Sequence, residues 1–318
     1  MANSPSPSLL SRLSALLGPK GYADDPEALG PWLTDWRGRY RGAAAAMLSP
    51  ATTTEVVEIV RLCGEEKVPL VPQGGNTSMV AGATPPADGG ALLLSMRRMN
   101  GIRSLDAQSN FAICEAGVIL ARLHDEALKV GRRFPLSLGA KGSATIGGLI
   151  STNAGGTQVL RFGTMRGLVA GIEAVLPDGC LFEGLAPLKK DNRGYDLRQL
   201  LIGAEGTLGI VTAAALKLVP AVSSRAVAWV GLASPDAALK LLRLAEQRMG
   251  EAIESFELVP RNALELVLVH VAGTRPPLSG IHGWHVLVEA TAPEGAPEPD
   301  EMLGSVLAEA MEASLVED

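Results

Sequence analysis

The chain has 318 residues, of which 47% are hydrophobic and 19% are charged. This composition supplies enough apolar surface for two packed domains and excludes a disordered chain. The formal net charge of −6 argues against a nucleic-acid-binding protein, which usually presents a basic face.

Cysteines and apolar runs indicate the compartment. Cys63, Cys114 and Cys180 are far apart and form no CxxC pair, which predicts free thiols in a reducing compartment. No targeting segment is convincing at the N-terminus, and no apolar run approaches the ~18 residues of a membrane span. We therefore expect a soluble, cytoplasmic protein, with the mitochondrial matrix as the less favoured alternative.

The N-terminal residues 1–48 are predicted to form a helix followed by an irregular arm. The arm extends from Thr34 to Gly42 and carries three arginines, Arg37, Arg39 and Arg41. Such a basic loop is usually solvated or part of an interface, and anion binding is the alternative.

Residues 49–220 are predicted to form one domain that begins with a β-α-β unit. Its helix at 55–66 has apolar residues on one face and possible N-caps before it, and a short buried strand follows at 68–71. Further predicted elements are strands at 91–95 and 111–116, a helix at 120–129, a hairpin around 177–179 and a strand at 210–219.

Residues 221–318 have a different pattern, in which strands and helices alternate. The predicted strands are at 227–232, 252–258 and 285–290, and the predicted helices are at 235–249 and from about Pro299 onward. This spacing favours an α+β domain with helices on one face of a sheet.

The first stretch that carries chemistry is residues 71–78, directly after a predicted strand. Gly74 and Gly75 allow backbone N–H groups to turn inward, and Asn76, Thr77 and Ser78 add donors. A cluster of donors of this kind suits a diphosphate, whereas composition alone would favour a plain turn.

A second stretch, residues 135–156, is unusually rich in glycine. Each glycine in a regular element costs roughly 0.5–1 kcal/mol relative to alanine, so a flat ligand against bare backbone would explain their number. The alternative is a long flexible loop, but the apolar residues Leu136, Leu138 and Ile146 indicate burial.

A third stretch, residues 190–210, contains Glu205 between glycines. Its carboxylate could accept hydrogen bonds from a ribose, although a solvated turn is the commoner explanation for a lone glutamate of this kind. The chain lacks the G-x-G-x-x-G, P-loop and G-x-S-x-G motifs, which argues against a nicotinamide site, a P-loop protein and a serine hydrolase. His282 and His285 are spaced poorly for one zinc ion if they lie at a strand edge.

Four segments resemble a known family in order and spacing: TDWRGRYRG at 34–42, VPQGGNTSMVAG at 71–82, FPLSLGAKGSATIGGLISTNAGG at 134–156 and KKDNRGYDLRQLLIGAEGTLGI at 189–210. They resemble the flavin domain of the vanillyl-alcohol-oxidase superfamily, and within it the D-2-hydroxyglutarate dehydrogenases and related D-lactate and glycolate dehydrogenases. The resemblance implies an α+β fold. A two-subdomain PCMH-type FAD-binding domain at 49–220 would be followed by a partial, ferredoxin-like α+β cap domain at 221–318.

The resemblance also implies which residues hold FAD. The diphosphate would lie on Pro72, Gln73, Gly74, Gly75, Asn76, Thr77 and Ser78. The ribityl chain and isoalloxazine would lie on Pro135, Gly139, Gly142, Ser143, Thr145, Ile146, Gly147 and Gly148, with the wall continued by Asn153, Ala154, Gly155 and Gly156. The adenosine end would lie on Glu205, Gly206 and Ile210.

The implied reaction is oxidation of a D-2-hydroxy acid to a 2-oxo acid by hydride transfer to flavin N5. FAD is expected to be non-covalent, because the first loop lacks the histidine that often attaches the flavin in covalent members. No catalytic residue is assigned. Electrons would pass to an electron-transfer flavoprotein, a quinone or a cytochrome, and a homodimer is possible.

The chain ends earlier than family members do. The rest of the cap, a zinc-like metal site and the substrate-binding cations of the family are expected in that missing C-terminal part. Two alternatives therefore stay open. One is a non-catalytic or split flavin-binding fragment or subunit, and the other is a superfamily flavin oxidase that acts on an alcohol or a sugar.

Overall fold

The computed structural model describes residues 4–318, which divide into two compact units. The first unit comprises Met1–Ala154 and Thr164–Val219, and the second comprises Gly155–Gly163 and Pro220–Asp318. Residues 4–48, which fall in the helix and arm that the sequence suggested as a separate segment, belong to the first unit. The chain also leaves the first unit for nine residues, 155–163, which no local pattern had indicated.

The first unit begins with a small, mainly parallel sheet. In chain order its elements are α1 (Pro7–Gly21), β1 (Tyr22–Ala23), α2 (Pro26–Leu29), β2 (Met47–Leu48), α3 (Thr53–Glu66), β3 (Leu70–Gln73) and β4 (Leu92–Ser95). The strand order is β1-β2-β4-β3, with β1 antiparallel to β2 and the other pairs parallel. Two short 3-10 turns lie at Gly30–Trp32 and Met96–Arg98.

Helices α1 and α3 begin at side-chain caps and bury one face. The Ser6 hydroxyl accepts a hydrogen bond from the Leu9 N–H at 3.0 Å, and that of Thr52 accepts from the Glu55 N–H at 3.1 Å. Both helices contribute to one apolar core with β2 and β4, since residues such as Leu13 are fully buried there. The helix predicted at 55–66 is thus confirmed and begins two residues earlier.

A second, antiparallel sheet completes the first unit. Its elements are β5 (Ile102–Asp106), β6 (Phe111–Glu115), α4 (Leu120–Lys129), β7 (Arg132–Arg133), α5 (Ile146–Ser151), α6 (Val159–Phe162), α7 (Met165–Leu168), β8 (Val169–Val175), β9 (Leu181–Gly184), α8 (Arg198–Leu201) and β10 (Ile210–Lys217), although α6 lies in the second unit. The strand order is β5-β6-β10-β8-β9, with β10 buried at the centre. Helix α5 lies inside the glycine-rich stretch, for which the sequence favoured a buried segment over a flexible loop without predicting a helix.

The second unit is an antiparallel sheet with helices. After the short strand β11 (Val219–Pro220), its elements are β12 (Ser224–Leu232), α9 (Pro235–Met249), β13 (Ile253–Pro260), α10 (Arg261–His270), β14 (Trp284–Ala292) and α11 (Pro299–Glu312), with a 3-10 turn at Gly250–Ala252. The strand order is β12-β14-β13, and α9 and α11 pack with the sheet in a core of their own. The α+β class predicted from the sequence is confirmed.

Helix α10 was not foreseen and has no buried residue. Leu266 and Val269 are 59% and 76% exposed on it. Within residues 4–318, no helix has the length and apolar character needed to cross a membrane.

Candidate functional site

The first unit contains a cavity of about 430 Å³ beside the end of β3. This volume lies in the range of small-molecule and cofactor sites. The residues around it come from three distant parts of the sequence, at 72–83, 138–154 and 205–211, with Met96. These parts overlap the three stretches that the sequence singled out.

The first wall is the loop after β3, and its glycines are needed for close packing inside the protein. A Cβ on Gly75 would lie 1.9 Å from the Ser143 carbonyl oxygen, and one on Gly74 would lie 2.3 Å from Thr145 Oγ1. Side chains at these positions would therefore push the first wall away from the second. This reason differs from the sequence interpretation, which explained the glycines by approach to a ligand.

Polar side chains fix the same loop to its surroundings. The Gln73 amide is 1% exposed and donates to the carbonyl oxygens of Trp32 and Ala83, both at 2.9 Å. Asn76 has a left-handed backbone with φ of 51°, and its Nδ2 donates to the Thr34 carbonyl at 2.8 Å. Non-glycine residues rarely take this conformation, and such outliers concentrate at functional sites.

The second wall is formed by Ala144, Thr145 and the start of α5. A Cβ on Gly147 would lie 2.7 Å from that of Ala116, so glycine lets this helix approach the strand region beside it. Among the described residues, the buried Thr145 hydroxyl has no hydrogen-bond partner, although it lies at the cavity. A buried hydroxyl without a partner is unfavourable and calls for an explanation such as a ligand.

The third wall is the turn that contains Glu205 and Gly206. Both have positive φ values, 52° and 78°, and a Cβ on Gly206 would lie 2.9 Å from Pro72 Cγ. The Glu205 N–H donates to the Ser151 carbonyl at 2.9 Å, which attaches this turn to the end of α5. Among the described lining residues, Glu205 is the sole ionisable side chain.

Arg166 connects the segments that flank the second and third walls. Its guanidinium donates to the Gln199 carbonyl at 2.7 Å and to the Ile202 carbonyl at 2.6 Å. Its backbone N–H donates to Asn153 Oδ1 at 3.0 Å, and Asn153 has a left-handed φ of 47°. No sequence motif singled out Arg166, because its partners are carbonyl groups that only the fold brings together.

Burial changes the pKa of His124, which lies beside the second wall. The Nε2 atom of His124 lies 3.0 Å from the Leu136 carbonyl oxygen, at the start of the glycine-rich stretch. Desolvation lowers the pKa of His124, although the hydrogen bond to Leu136 acts in the opposite direction. The neutral imidazole is therefore favoured, and it holds the start of this stretch against α4.

The cavity wall includes most residues that the sequence predicted for the cofactor. Those at the cavity are Pro72, Gln73, Gly74, Gly75, Asn76, Thr77, Ser78, Thr145, Gly147, Gly148, Ala154, Glu205, Gly206 and Ile210. Those predicted but not at its wall are Pro135, Gly139, Gly142, Ser143, Ile146, Asn153, Gly155 and Gly156. Ile146 is fully buried in the core, and Gly155 and Gly156 belong to the second unit.

Sequence reasoning did not select several further lining residues. They are Met79, Val80, Gly82, Ala83, Met96, Leu138, Ala140, Ala144, Leu149, Ser151, Thr152 and Val211. Many are neighbours of selected residues, so extending each stretch by a few positions would have found them. Met96 follows β4 and had no signal of its own in the sequence.

The two histidines considered for zinc lie in the second unit. His285 is buried, and burial together with the nearby His282 lowers its pKa. Its Nδ1 accepts a hydrogen bond from Trp229 Nε1 at 3.1 Å, whereas His282 Nδ1 lies 2.7 Å from Glu317 Oε2. Within residues 4–318, no group of three or more His, Cys, Asp or Glu side chains could hold a metal ion.

Comparison with known proteins identifies the class of domain. The FAD binding domain family matches residues 44–184. The mitochondrial D-2-hydroxyglutarate dehydrogenase of Arabidopsis thaliana is 39% identical over 309 residues, which is 97% of this chain and 55% of that protein. The corresponding protein of Bos taurus is 41% identical over 294 residues, 92% of this chain and 53% of its own length.

A putative mitochondrial D-lactate dehydrogenase of Schizosaccharomyces pombe is also similar. It is 35% identical over 311 residues, covering 98% of this chain and 58% of that protein. The chain thus spans a little over half the length of these curated relatives.

Solved structures share the fold. An alkyldihydroxyacetonephosphate synthase matches with a TM-score of 0.79 and 19% identity, over 99% of this chain and 61% of that chain. A p-cresol methylhydroxylase with substrate bound matches with a TM-score of 0.74 and 18% identity, over 97% of this chain and 64% of that chain. The PCMH-type fold predicted from the resemblance is thereby confirmed.

Residues 44–184 therefore match the FAD binding domain family, within a chain that is similar over nearly its whole length to part of the D-2-hydroxyglutarate dehydrogenases.

Proposed function

We propose that this chain binds FAD non-covalently in the cavity of the first unit and serves in the oxidation of a D-2-hydroxy acid to its 2-oxo acid. The observation that carries the proposal is the meeting of three distant loops around one cavity, two of which lie inside the region 44–184 that matches the FAD binding domain family. The names of the relatives support a hydroxy acid of the D-2-hydroxyglutarate or D-lactate type.

The donors on the wall fit FAD. The loop at 72–78 offers backbone N–H groups and the hydroxyls of Thr77 and Ser78, and such donors can bind a diphosphate without a cationic side chain. Thr145 contributes a buried hydroxyl with no partner in the described protein. Among the described lining residues there is no His, Cys or Tyr that could attach a flavin, which supports non-covalent binding.

Each wall would bind a different part of the cofactor. The loop at 72–78 would hold the diphosphate, Thr145 and the start of α5 would lie along the middle of the cofactor, and Glu205 would accept hydrogen bonds from hydroxyl groups. Apolar residues such as Leu138 and Leu149 would exclude water. Bound FAD supplies the hydride acceptor for the reaction, while the protein supplies position and surroundings. No residue is assigned as the base for the substrate hydroxyl.

The electron acceptor completes the proposal. No nicotinamide motif occurs in the sequence, so electrons would leave for a carrier such as an electron-transfer flavoprotein, a quinone or a cytochrome. The substrate, this acceptor, a zinc-like site outside the chain, a possible homodimer and a cytoplasmic location remain part of the proposal.

The test begins with the purified chain reconstituted with FAD. Its visible spectrum is recorded before and after anaerobic addition of D-2-hydroxyglutarate, D-lactate and their L enantiomers. We expect a flavin spectrum that survives gel filtration but not denaturation in acid. Bleaching by a D acid but not by its L enantiomer would support oxidation by this chain.

Other outcomes separate the alternatives. A bound flavin that no hydroxy acid bleaches would indicate a flavin-binding fragment or subunit that needs further protein for catalysis. Bleaching by an alcohol or a sugar, but not by a hydroxy acid, would indicate a different oxidase of the superfamily. Failure to retain added FAD would contradict the whole proposal.

A further inference from the structure

The arm at Thr34–Gly42, called here the arginine arm, is an exposed surface that the proposed flavin site does not use. Arg37, Arg39 and Arg41 are exposed, and the neighbouring Trp36 and Tyr40 side chains are 62% and 63% exposed. In a chain of net charge −6, three cations within five residues reverse the local charge. Within residues 4–318, none of these three guanidinium groups forms an ion pair at salt-bridge distance.

The arginine arm is held in shape by a buried carboxylate. Asp35 accepts hydrogen bonds from the backbone N–H groups of Tyr40 at 2.6 Å, Arg39 at 2.7 Å and Arg37 at 3.0 Å. The bond from Tyr40 is the largest cause of the lowered pKa of Asp35, and the other two bonds and the charge of Arg39 add to it. Because the backbone of the arm is already ordered, the arm would lose less conformational entropy when a partner binds to it.

Both ends of the arginine arm are attached to the cavity loop. The Thr34 carbonyl accepts from the side chain of Asn76, which is itself a wall residue. At the other end, a Cβ on Gly42 would lie 1.8 Å from the Pro85 carbonyl oxygen, so this glycine permits close contact with the loop that follows Asn76. A partner bound on the arm would therefore lie beside the cavity.

The residue types indicate the chemistry of the partner. Tryptophan, tyrosine and arginine are the residues most enriched at the energetic centres of protein interfaces. All three cations are arginines, whose planar fork matches carboxylates better than an ammonium does. We propose that the arginine arm is the docking surface for the acidic face of a soluble one-electron carrier protein that collects electrons from the flavin. This inference rests on the proposed function, because it assumes that the cavity holds FAD.

A protein fits the arginine arm better than a membrane does. Surfaces that hold anionic lipid usually have clusters of four to eight basic residues, each contributing about 1 kcal/mol. The arm has three, and the net charge of −6 on the chain opposes binding to an anionic bilayer. A membrane is therefore the outcome to be excluded.

The experiment separates docking from substrate oxidation. FAD-loaded protein is reduced with dithionite, excess reagent is removed anaerobically, and the protein is mixed with oxidised cytochrome b5, an acidic carrier, or with cytochrome c, a basic one. One reduced flavin gives two electrons to two ferric haems, which become ferrous while the flavin protons pass to solvent. Haem absorbance gives the rate at low and high salt.

Three variants make the comparison specific. Arg37→Ala/Arg39→Ala/Arg41→Ala removes the cations but leaves the backbone N–H groups that bind Asp35. The matched control, Lys20→Ala/Lys240→Ala/Arg275→Ala, removes the same charge from exposed positions elsewhere. Arg37→Lys/Arg39→Lys/Arg41→Lys keeps the charge and loses the fork.

We expect cytochrome b5 to be reduced at least about tenfold more slowly by the arm alanine variant at low salt, with most of the salt dependence lost. The control and the lysine variant should stay closer to the parent rate, and reduction of ferricyanide should be equal in all. Equal rates with cytochrome b5 for the arm and control variants would overturn the proposal. So would arm-dependent binding to mixed phosphatidylcholine and phosphatidylserine vesicles without any effect on cytochrome b5.

Because dithionite reduces the flavin directly, the result does not depend on oxidation of a hydroxy acid. If the protein retains no FAD, a titration of cytochrome b5 against the same variants still measures docking. Loss of binding in the arm variant would then support the surface while the proposed function fails.

Discussion

At the scale of single residues, the Thr145 hydroxyl gives the sharpest test of the cavity. It is buried without a partner in the described protein, which costs the ligand-free state about 1–3 kcal/mol. Thr145→Val keeps the shape and removes the hydroxyl. We expect the ligand-free variant to be as stable as the parent or more stable, while FAD affinity falls by up to about tenfold, the value of one hydrogen bond. Thermal unfolding and fluorescence titration with FAD measure the two effects. Unchanged affinity with lower stability would assign the hydroxyl a purely structural role.

Gly75 provides a second prediction at this scale. A Cβ there would lie 1.9 Å from the Ser143 carbonyl, so Gly75→Ala must move one wall of the cavity. Overpacking of this kind typically costs about 1–3 kcal/mol, and we expect at least a tenfold loss of FAD affinity with it. Gly64→Ala in helix α3 is the matched control, since its Cβ would meet nothing within 4 Å and it has no predicted role in FAD binding. If both variants bind FAD like the parent, the close approach of the two walls does not shape the site.

The glycines also show what a sequence can and cannot predict about single residues. Their density marked the right stretches, because glycine concentrates wherever backbone must approach something closely. The pattern could not tell what is approached. For Gly74, Gly75 and Gly147 it is another segment of the protein, whereas around Gly139 and Gly142 there is open space. That distinction depends on contacts between residues far apart in the chain.

At the scale of elements, we predict that Arg166 supports FAD binding by connecting the segments that flank the second and third walls. Its guanidinium donates hydrogen bonds to the carbonyl oxygens of Gln199 and Ile202, close to the turn that carries Glu205. Arg166→Lys keeps the charge but cannot reproduce the planar fork, and we expect weaker FAD binding together with a lower melting temperature. Arg12→Lys is the control, because Arg12 forms an exposed ion pair with Glu65. Hydrogen exchange should increase at 199–206 in the Arg166 variant; protection equal to the parent would contradict the role.

Elements with strong periodicity and clear caps were predicted from the sequence almost to the residue. Helix α4 and helix α9 have the predicted bounds, because each has an apolar face and α9 begins at a serine cap. Helix α5 was not predicted, because the glycines in its first turn are typical of loops. From the sequence, residues 155–163 were placed in the predicted domain at 49–220, whereas in the structure they cluster with the second unit. Gln158 donates to Glu254 at 2.6 Å within the second unit, a contact 96 residues apart that no local pattern reveals.

At the scale of the whole molecule, the two units have separate cores, and the lining of the cavity lies within the first. The chain spans a little over half the length of these curated relatives, so binding of the cofactor and oxidation of a substrate are separate questions. The first requires the walls described here. The second requires a substrate site, which the described residues do not identify.

This division leads to a prediction about stability. Leu241 is 1% exposed in the core of the second unit, and Leu241→Ala should cost that unit about 2–5 kcal/mol. FAD affinity should stay within about twofold of the parent, because no lining residue belongs to that unit.

Leu94→Ala, in the core of the first unit, is the matched comparison and should lower stability and FAD affinity together. FAD at a hundredfold excess over its Kd should add about 2.7 kcal/mol to the unit that binds it, so calorimetry with and without FAD separates the two units. A tenfold loss of affinity in Leu241→Ala would mean that the cavity depends on the second unit, and that a flavin-binding fragment must include residues beyond Val219.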